Sequence, residues 1–108
     1  MSKEFNLKVA LLNDYYGNLL TKYQSDIVKM YYDQDLSLAE ISKICNVSRQ
    51  AIKDVLQRAE KKLEDYEEKL GLVARVTKIK DKIQNYISEA DAETAAKLDK
   101  LLQEVEKI

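Results

Sequence analysis

An all-α fold is what the sequence predicts, and three observations carry it. The 108 residues contain no proline and only two glycines, Gly17 and Gly71, so almost nothing in the chain breaks a helix. Apolar residues recur at steps of three and four along most of its length. Ser, Thr or Asp stands just ahead of several of these periodic runs, where a helix start needs an acceptor for its orphan N–H groups. With 45% hydrophobic and 34% charged residues, the chain reads as one domain, or a small domain plus an extension. It is long enough to bury roughly two thirds of its unfolded surface.

About six helices follow in order. Phe5, Val9, Leu12, Tyr16 and Leu19 form one stripe, predicting a first helix from about residue 4 to 20. Thr21 followed by Gln24 is a capping-box pattern that starts a second helix, with Ile27, Met30 and Tyr31 on its inner face and Tyr23 one turn earlier. The polar run Asp33, Gln34, Asp35 ends it. Ser37 with Glu40 repeats the capping box for the third helix, and Ser48 caps the fourth. In that fourth helix Ile52, Val55, Leu56, Ala59, Leu63, Tyr66 and Leu70 continue one apolar stripe, with Gly71 as the first terminator. Its predicted length is about 22 residues, or ~33 Å. Val73, Val76, Ile79, Ile83 and Tyr86 predict a fifth helix, rich in β-branched residues. Asp91 caps a sixth, striped by Ala95, Leu98, Leu102 and Val105.

Residues Ser37 to Arg58, SLAEISKICNVSRQAIKDVLQR, are the most specific segment. Two short helices meeting steeply across a three- or four-residue turn need locked inner faces, and Ile41, Cys45, Val47, Ile52 and Val55 stand at the positions that supply them. Ser42 is small enough for a close crossing, and Asn46 occupies the turn position that needs positive φ. A helix-turn-helix at 37–62 is therefore expected, within a helical domain at 1–70. Residues 71–108 are then a C-terminal helical extension. Helices four to six carry more apolar stripe than a short trihelical core can cover, which predicts homodimerisation through that extension.

Composition excludes much else. The lone Cys45 forbids an intrachain disulfide or a multi-thiolate metal site, and the absence of His removes the commonest metal ligand and general base. No catalytic residue, metal or cofactor is expected, and the chain is not read as an enzyme. No apolar run approaches the ~20 residues of a membrane span, and MSKEFNLK lacks a signal-like apolar core, so a cytoplasmic location away from membranes is expected. Cys45 itself reads as a small buried hydrophobe.

Double-stranded DNA is the expected partner of the helix-turn-helix. Ser48 and Arg49 would meet phosphate at the helix N-terminus, while Arg49, Gln50 and Lys53 reach base edges in the major groove. Asp54, Gln57 and Arg58 complete that outer face. Charge tempers this. Residues 48 to 62 hold Arg49, Lys53, Arg58, Lys61 and Lys62 against Asp54 and Glu60, a net of +3, whereas LEDYEEKL at 63 to 70 nets −3. The whole chain carries −1, a weak field for a nucleic-acid binder. Glu64, Asp65, Glu67 and Glu68 read as a solvated acidic face. The seven tyrosines read as core and interface residues, not as a base-stacking platform.

Residues 21 to 63 resemble the promoter-reading fourth region of bacterial sigma factors, through SLAEI, VSRQA and the basic helix after them. LLTKYQ at 19–24, MYYDQDLSLAEI at 30–41, VSRQAIKD at 47–54 and LEDYEEKL at 63–70 together resemble the YlxM family of small helix-turn-helix proteins. That resemblance implies an all-α fold with a sigma-like helix-turn-helix, dimerisation through the added helices, and a gene placed beside those of the signal recognition particle. It also implies a role in regulation or in assisting the particle's GTPase components. For Lys22 and Gln24, at the start of the second helix, the sigma-like resemblance implies a contact with the DNA backbone, with the Thr21–Gln24 capping box as the simpler reading, and where sigma factors carry a further basic residue in the reading helix, this chain has Asp54. A non-DNA-binding adaptor that uses the helix-turn-helix as a scaffold is the alternative.

Overall fold

A computed structural model describes residues 7–108, which form six α-helices: α1 (Leu7–Tyr16), α2 (Lys22–Val28), α3 (Leu38–Cys45), α4 (Arg49–Leu70), α5 (Leu72–Glu89) and α6 (Ala92–Glu106). No strand occurs among the described residues. Phe5, expected on the first helix, lies outside them. The chain divides into two compact units between Leu70 and Gly71.

In the first unit α1, α2 and α3 all pack on α4. Ile52, Leu56, Ala59 and Leu63 line one side of α4 and are fully buried, against Leu12 and Tyr16 of α1, Ile27 and Val28 of α2 and Ile41 of α3. Local chemistry sets the ends of these helices. Thr21 Oγ1 accepts from Gln24 N–H at 3.1 Å while the Gln24 side chain accepts from Thr21 N–H at 3.3 Å. Ser37 and Glu40 make the same reciprocal pair, at 3.0 and 3.2 Å. Both capping boxes satisfy donors that a bare helix start leaves open.

Two stretches depart from the expected helices. After Tyr16 the chain tightens into a 3₁₀ turn, Gly17–Leu19. With three residues per turn instead of 3.6, the stripe loses register, so Leu19 is 54% exposed and Leu20, at 8%, takes the core position expected of it. Following α2 the helix widens into a π turn over Lys29–Asp33. There Tyr31 is buried and meets Tyr32 edge-on, with ring centroids 4.9 Å apart. Tyr23, in the first turn of α2, is exposed at the margin of the inner face it was expected to join.

Tyrosine hydroxyls fasten α4 along its edges. Tyr32 donates to Glu60, Tyr16 donates to Glu67, and Tyr66 donates to the Leu19 carbonyl at 3.3 Å. Glu67, expected on a solvated acidic face, is thus a half-buried acceptor, because the fully buried ring of Tyr16 brings its hydroxyl to the helix rim. Burial lifts the Glu60 carboxyl above the usual carboxylate range, against the lowering effect of the Tyr32 hydrogen bond and with help from nearby Glu64. One polar pair lies inside the unit: Asn13 Nδ2 donates to the Ser25 carbonyl, and Ser25 Oγ donates to Asn13 Oδ1, both at 3.3 Å.

The second unit is a helical hairpin in which α5 packs on α6. Asp91 caps α6 by accepting from Thr94 N–H at 2.7 Å, a bond to the charged carboxylate that holds its pKa below the ordinary value. Val73, Val76, Ile83 and Leu102 are buried. Ile79 and Tyr86, expected on the same inner stripe, are exposed instead, because a two-helix layer covers only a narrow band of each helix.

Two tests of this packing follow. A Cβ at Gly17 would stand 2.9 Å from Asn13 Oδ1 and 3.0 Å from Ser25 Oγ; Gly17→Ala is expected to cost about 1–3 kcal/mol in urea unfolding through overpacking. Glu60 binds a proton more readily folded than unfolded, so its contribution to stability grows as the pH falls and is lost as the pH rises through its raised pKa. Glu60→Gln is therefore expected to melt above the wild type at pH 7 and to lose that advantage as the pH is lowered through the titration of Glu60. A constant difference across the range would contradict the assignment.

Candidate nucleic-acid interface

The helix-turn-helix seam is built from the turn outward. Asn46 takes the left-handed conformation, φ 55°, ψ 46°, which Asn tolerates at low cost. The turn closes with two backbone bonds, Asn46 N–H to Lys43 O at 3.3 Å and Val47 N–H to Ser42 O at 3.0 Å, the paired geometry of a Schellman cap. Ser42 is buried and donates its hydroxyl to Ala39 O at 2.8 Å. Its polarity is thereby satisfied within α3 while its small volume leaves room for α4. Ile41 and Ile52 seal the seam completely, whereas Cys45 and Val55 are half-buried. Val47 departs from expectation, at 39% exposure. Having just passed the left-handed residue, the chain carries the Val47 side chain to the seam's rim, not its centre.

Ser48 then starts α4. Its Oγ accepts from Ala51 N–H at 3.0 Å, which leaves the hydroxyl hydrogen available to an outside acceptor. Seven of the eight candidate contacts, Ser48, Arg49, Gln50, Lys53, Asp54, Gln57 and Arg58, fall on this cap and the following three turns, and all are exposed. They occupy about 15 Å of helix, with Gln50, Asp54 and Gln57 on the side away from Ile52, Leu56 and Ala59, Lys53 and Arg58 on its two flanks, and Ser48 and Arg49 at the helix start. Among the described residues, none of Arg49, Lys53 and Arg58 is in an ion pair. Gln50 Nε2 donates to Asp54 Oδ1 at 2.9 Å, linking two side chains one turn apart. Asp54, Gln57, Arg58 and Lys61 border a shallow open depression.

Lys22 is not gathered with these residues. It begins α2, and its Nζ pairs with Asp26 Oδ2 at 3.0 Å, so its charge is already partly engaged. Gln24 closes the capping box and receives Lys62 Nζ at 3.5 Å. Reading by sequence alone missed Glu60 and the tyrosine bonds that fix the roll of α4. No local pattern marks them, since Tyr32 and Glu60 lie 28 residues apart and Tyr16 and Glu67 51 apart. The described residues hold no group of three or more His, Cys, Asp or Glu fit for a metal ion. Among the described residues, no helix is long and apolar enough to cross a membrane.

The sequence that builds this geometry is similar to those of known proteins. A UPF0122 protein of Desulforamulus reducens is 58% identical over 73 residues, a stretch covering 68% of this chain and 62% of that protein. One from Clostridium perfringens is 41% identical over 108 residues, covering 94% and 96%. Another, from Thermoanaerobacter sp., is 44% identical over 110 residues, covering 94% of each. Residues 3–105 match the model of the family described as "Putative helix-turn-helix protein, YlxM / p13 like". With six helices, a left-handed turn at Asn46 and this match over nearly its whole length, the chain belongs to the UPF0122 family of YlxM/p13-like helix-turn-helix proteins.

Proposed function

We propose that this chain is a cytoplasmic, non-catalytic regulatory protein that binds duplex DNA through the cap and first three turns of α4. One observation carries the reading: an N-capped helix that begins at a helix-turn-helix turn and exposes, free of ion pairs, Arg49 in its first turn and Lys53 and Arg58 on the two flanks of its buried stripe. Ser48 and Arg49 supply phosphate contacts at the positive end of the helix dipole. Gln50, Lys53, Asp54 and Gln57 face the base edges, and Arg58 reaches the flanking backbone. Lys22 is kept as a secondary backbone contact.

Homodimerisation through the second unit belongs to the same proposal. Ile79 and Tyr86 stand seven residues apart on α5, Leu101 stands on α6 and Ile108 just past its end, and all four are exposed. At about 100° per residue, with each helix's buried residues turned to its neighbour and the two helices antiparallel, the α5 stripe and Leu101 come to the same side of the hairpin. Units below about 40 residues seldom hold a fold without a staple or a partner. A second copy, completing a four-helix layer, covers that face and sets two reading helices on half-sites about one DNA turn apart.

A second reading rests on the resemblance to the YlxM family and is favoured by the exposed Glu64 and Glu68 that follow the reading face. In it, the helix-turn-helix is a scaffold that docks on signal recognition particle components and modulates their GTPases.

Fluorescence anisotropy with duplex DNA at two salt concentrations separates these readings. Duplex binding that weakens steeply with salt is expected, and Arg49→Ala with Lys53→Ala is expected to lower both the affinity and the salt slope, by about 0.9 for each phosphate no longer neutralised. No affinity for duplex, with altered GTP hydrolysis by the particle's GTPases, would instead favour the adaptor. For the dimer, equilibrium sedimentation is expected to return twice the 12.5 kDa chain mass. Tyr86→Glu with Leu101→Glu is expected to return the single mass.

A further inference from the structure

An acidic residue in the middle of a phosphate-seeking helix face calls for a chemical reason, and the Gln50–Asp54 bond supplies one. Because a carboxylate only accepts, the 2.9 Å contact fixes the Gln50 amide with Nε2 turned toward Asp54 and Oε1 turned away. Asp54 Oδ2 has no partner among the described residues. The pair therefore presents two acceptor oxygens from exposed side chains one turn apart, and Lys53 stands beside them with a free ammonium group.

We propose that Gln50 and Asp54 act as one reading unit selective for a C·G pair in the major groove. This deepens the duplex-binding reading above and rests on it. Only two major-groove groups donate, cytosine N4 and adenine N6, whereas guanine O6, guanine N7 and thymine O4 accept and are repelled by a carboxylate. Adenine is matched best by an amide that offers donor and acceptor side by side. Gln50 has its amide nitrogen turned to Asp54 and no longer offers that fork. Cytosine N4 keeps one hydrogen outside its base pair and donates it to Asp54 Oδ2, and the guanine opposite it places O6 and N7 within the reach of a neighbouring cation, the role of Lys53. Asp54 thus trades non-specific affinity, which its charge lowers against phosphate, for discrimination at one base pair.

Selection of random-sequence duplexes with the full chain at about 50 mM salt, followed by anisotropy on the selected duplex and its single-pair variants, tests this. The expected result is one C·G pair whose replacement by T·A weakens wild-type binding about 5- to 100-fold. Asp54→Ala is expected to bind duplexes that lack this pair more tightly and to lose that one preference. If Asp54→Ala tightens all duplexes equally and keeps every preference, Asp54 is a repulsive charge only, and the inference falls while duplex binding stands. A lost preference that favours a thymine or guanine edge at that position also overturns it. Should the wild-type chain recover no duplex, the inference and the duplex-binding reading fall together.

Discussion

The stripe Ile52, Leu56, Ala59 and Leu63 is the contact on which the first unit depends, because α1, α2 and α3 all reach their core through it. Steps of four, three and four residues keep these side chains on one side of α4, and their complete burial admits a single rotation of that helix. Rotation in turn decides what faces outward. A slip of one residue would swing α4 by about 100°, taking Leu56 out of the core and replacing it with Val55 or Gln57. The tyrosine bonds from Tyr32 to Glu60 and from Tyr16 to Glu67 fall seven residues apart and hold the same rotation from the rim. The exposed row from Ser48 to Arg58 is consequently aimed by core packing, not by any interaction of its own.

Features written in contiguous residues are legible in the sequence itself. Both capping boxes, the left-handed turn at Asn46, the cap at Ser48 and the stop at Gly71, with φ of 61°, are local chemistry and stand where the spacing puts them. What escaped was set by long-range packing or by a change of helical pitch. The 3₁₀ turn exchanged Leu19 for Leu20, and nothing in the stripe from Val9 to Leu19 announces a change from 3.6 to three residues per turn. The π turn likewise has no composition of its own. Glu67 looked like one more solvated carboxylate because its partner, Tyr16, comes from a helix 51 residues earlier. Candidate contacts were readable as a row, since an outer helix face follows directly from its inner one. The Gln50–Asp54 bond was not, because a residue pair at i and i+4 permits that bond without requiring it.

Charge is where the fold and the proposed function pull against each other. Five cations and two carboxylates over residues 48 to 62 are followed at once by a net of −3 over the next eight residues. Non-specific DNA affinity scales with the phosphates neutralised, so one such unit would bind duplex only weakly under the proposed function, and a carboxylate within the candidate contact row would weaken it further. Weak binding by one unit is not weak binding by a pair. Linking two modules makes the second contact intramolecular, at an effective concentration that raises the overall affinity by about 10²- to 10⁴-fold with no added interface. In that arrangement the acidic residues have a purpose that a monomer would not give them. Under the proposed function they would hold single-site affinity too low for occupancy of random sequence, and the proposed pair would restore it only where two matching half-sites stand at the proper spacing. Division of the chain at Gly71, with reading residues before it and an uncovered apolar hairpin after it, is the arrangement such a device requires.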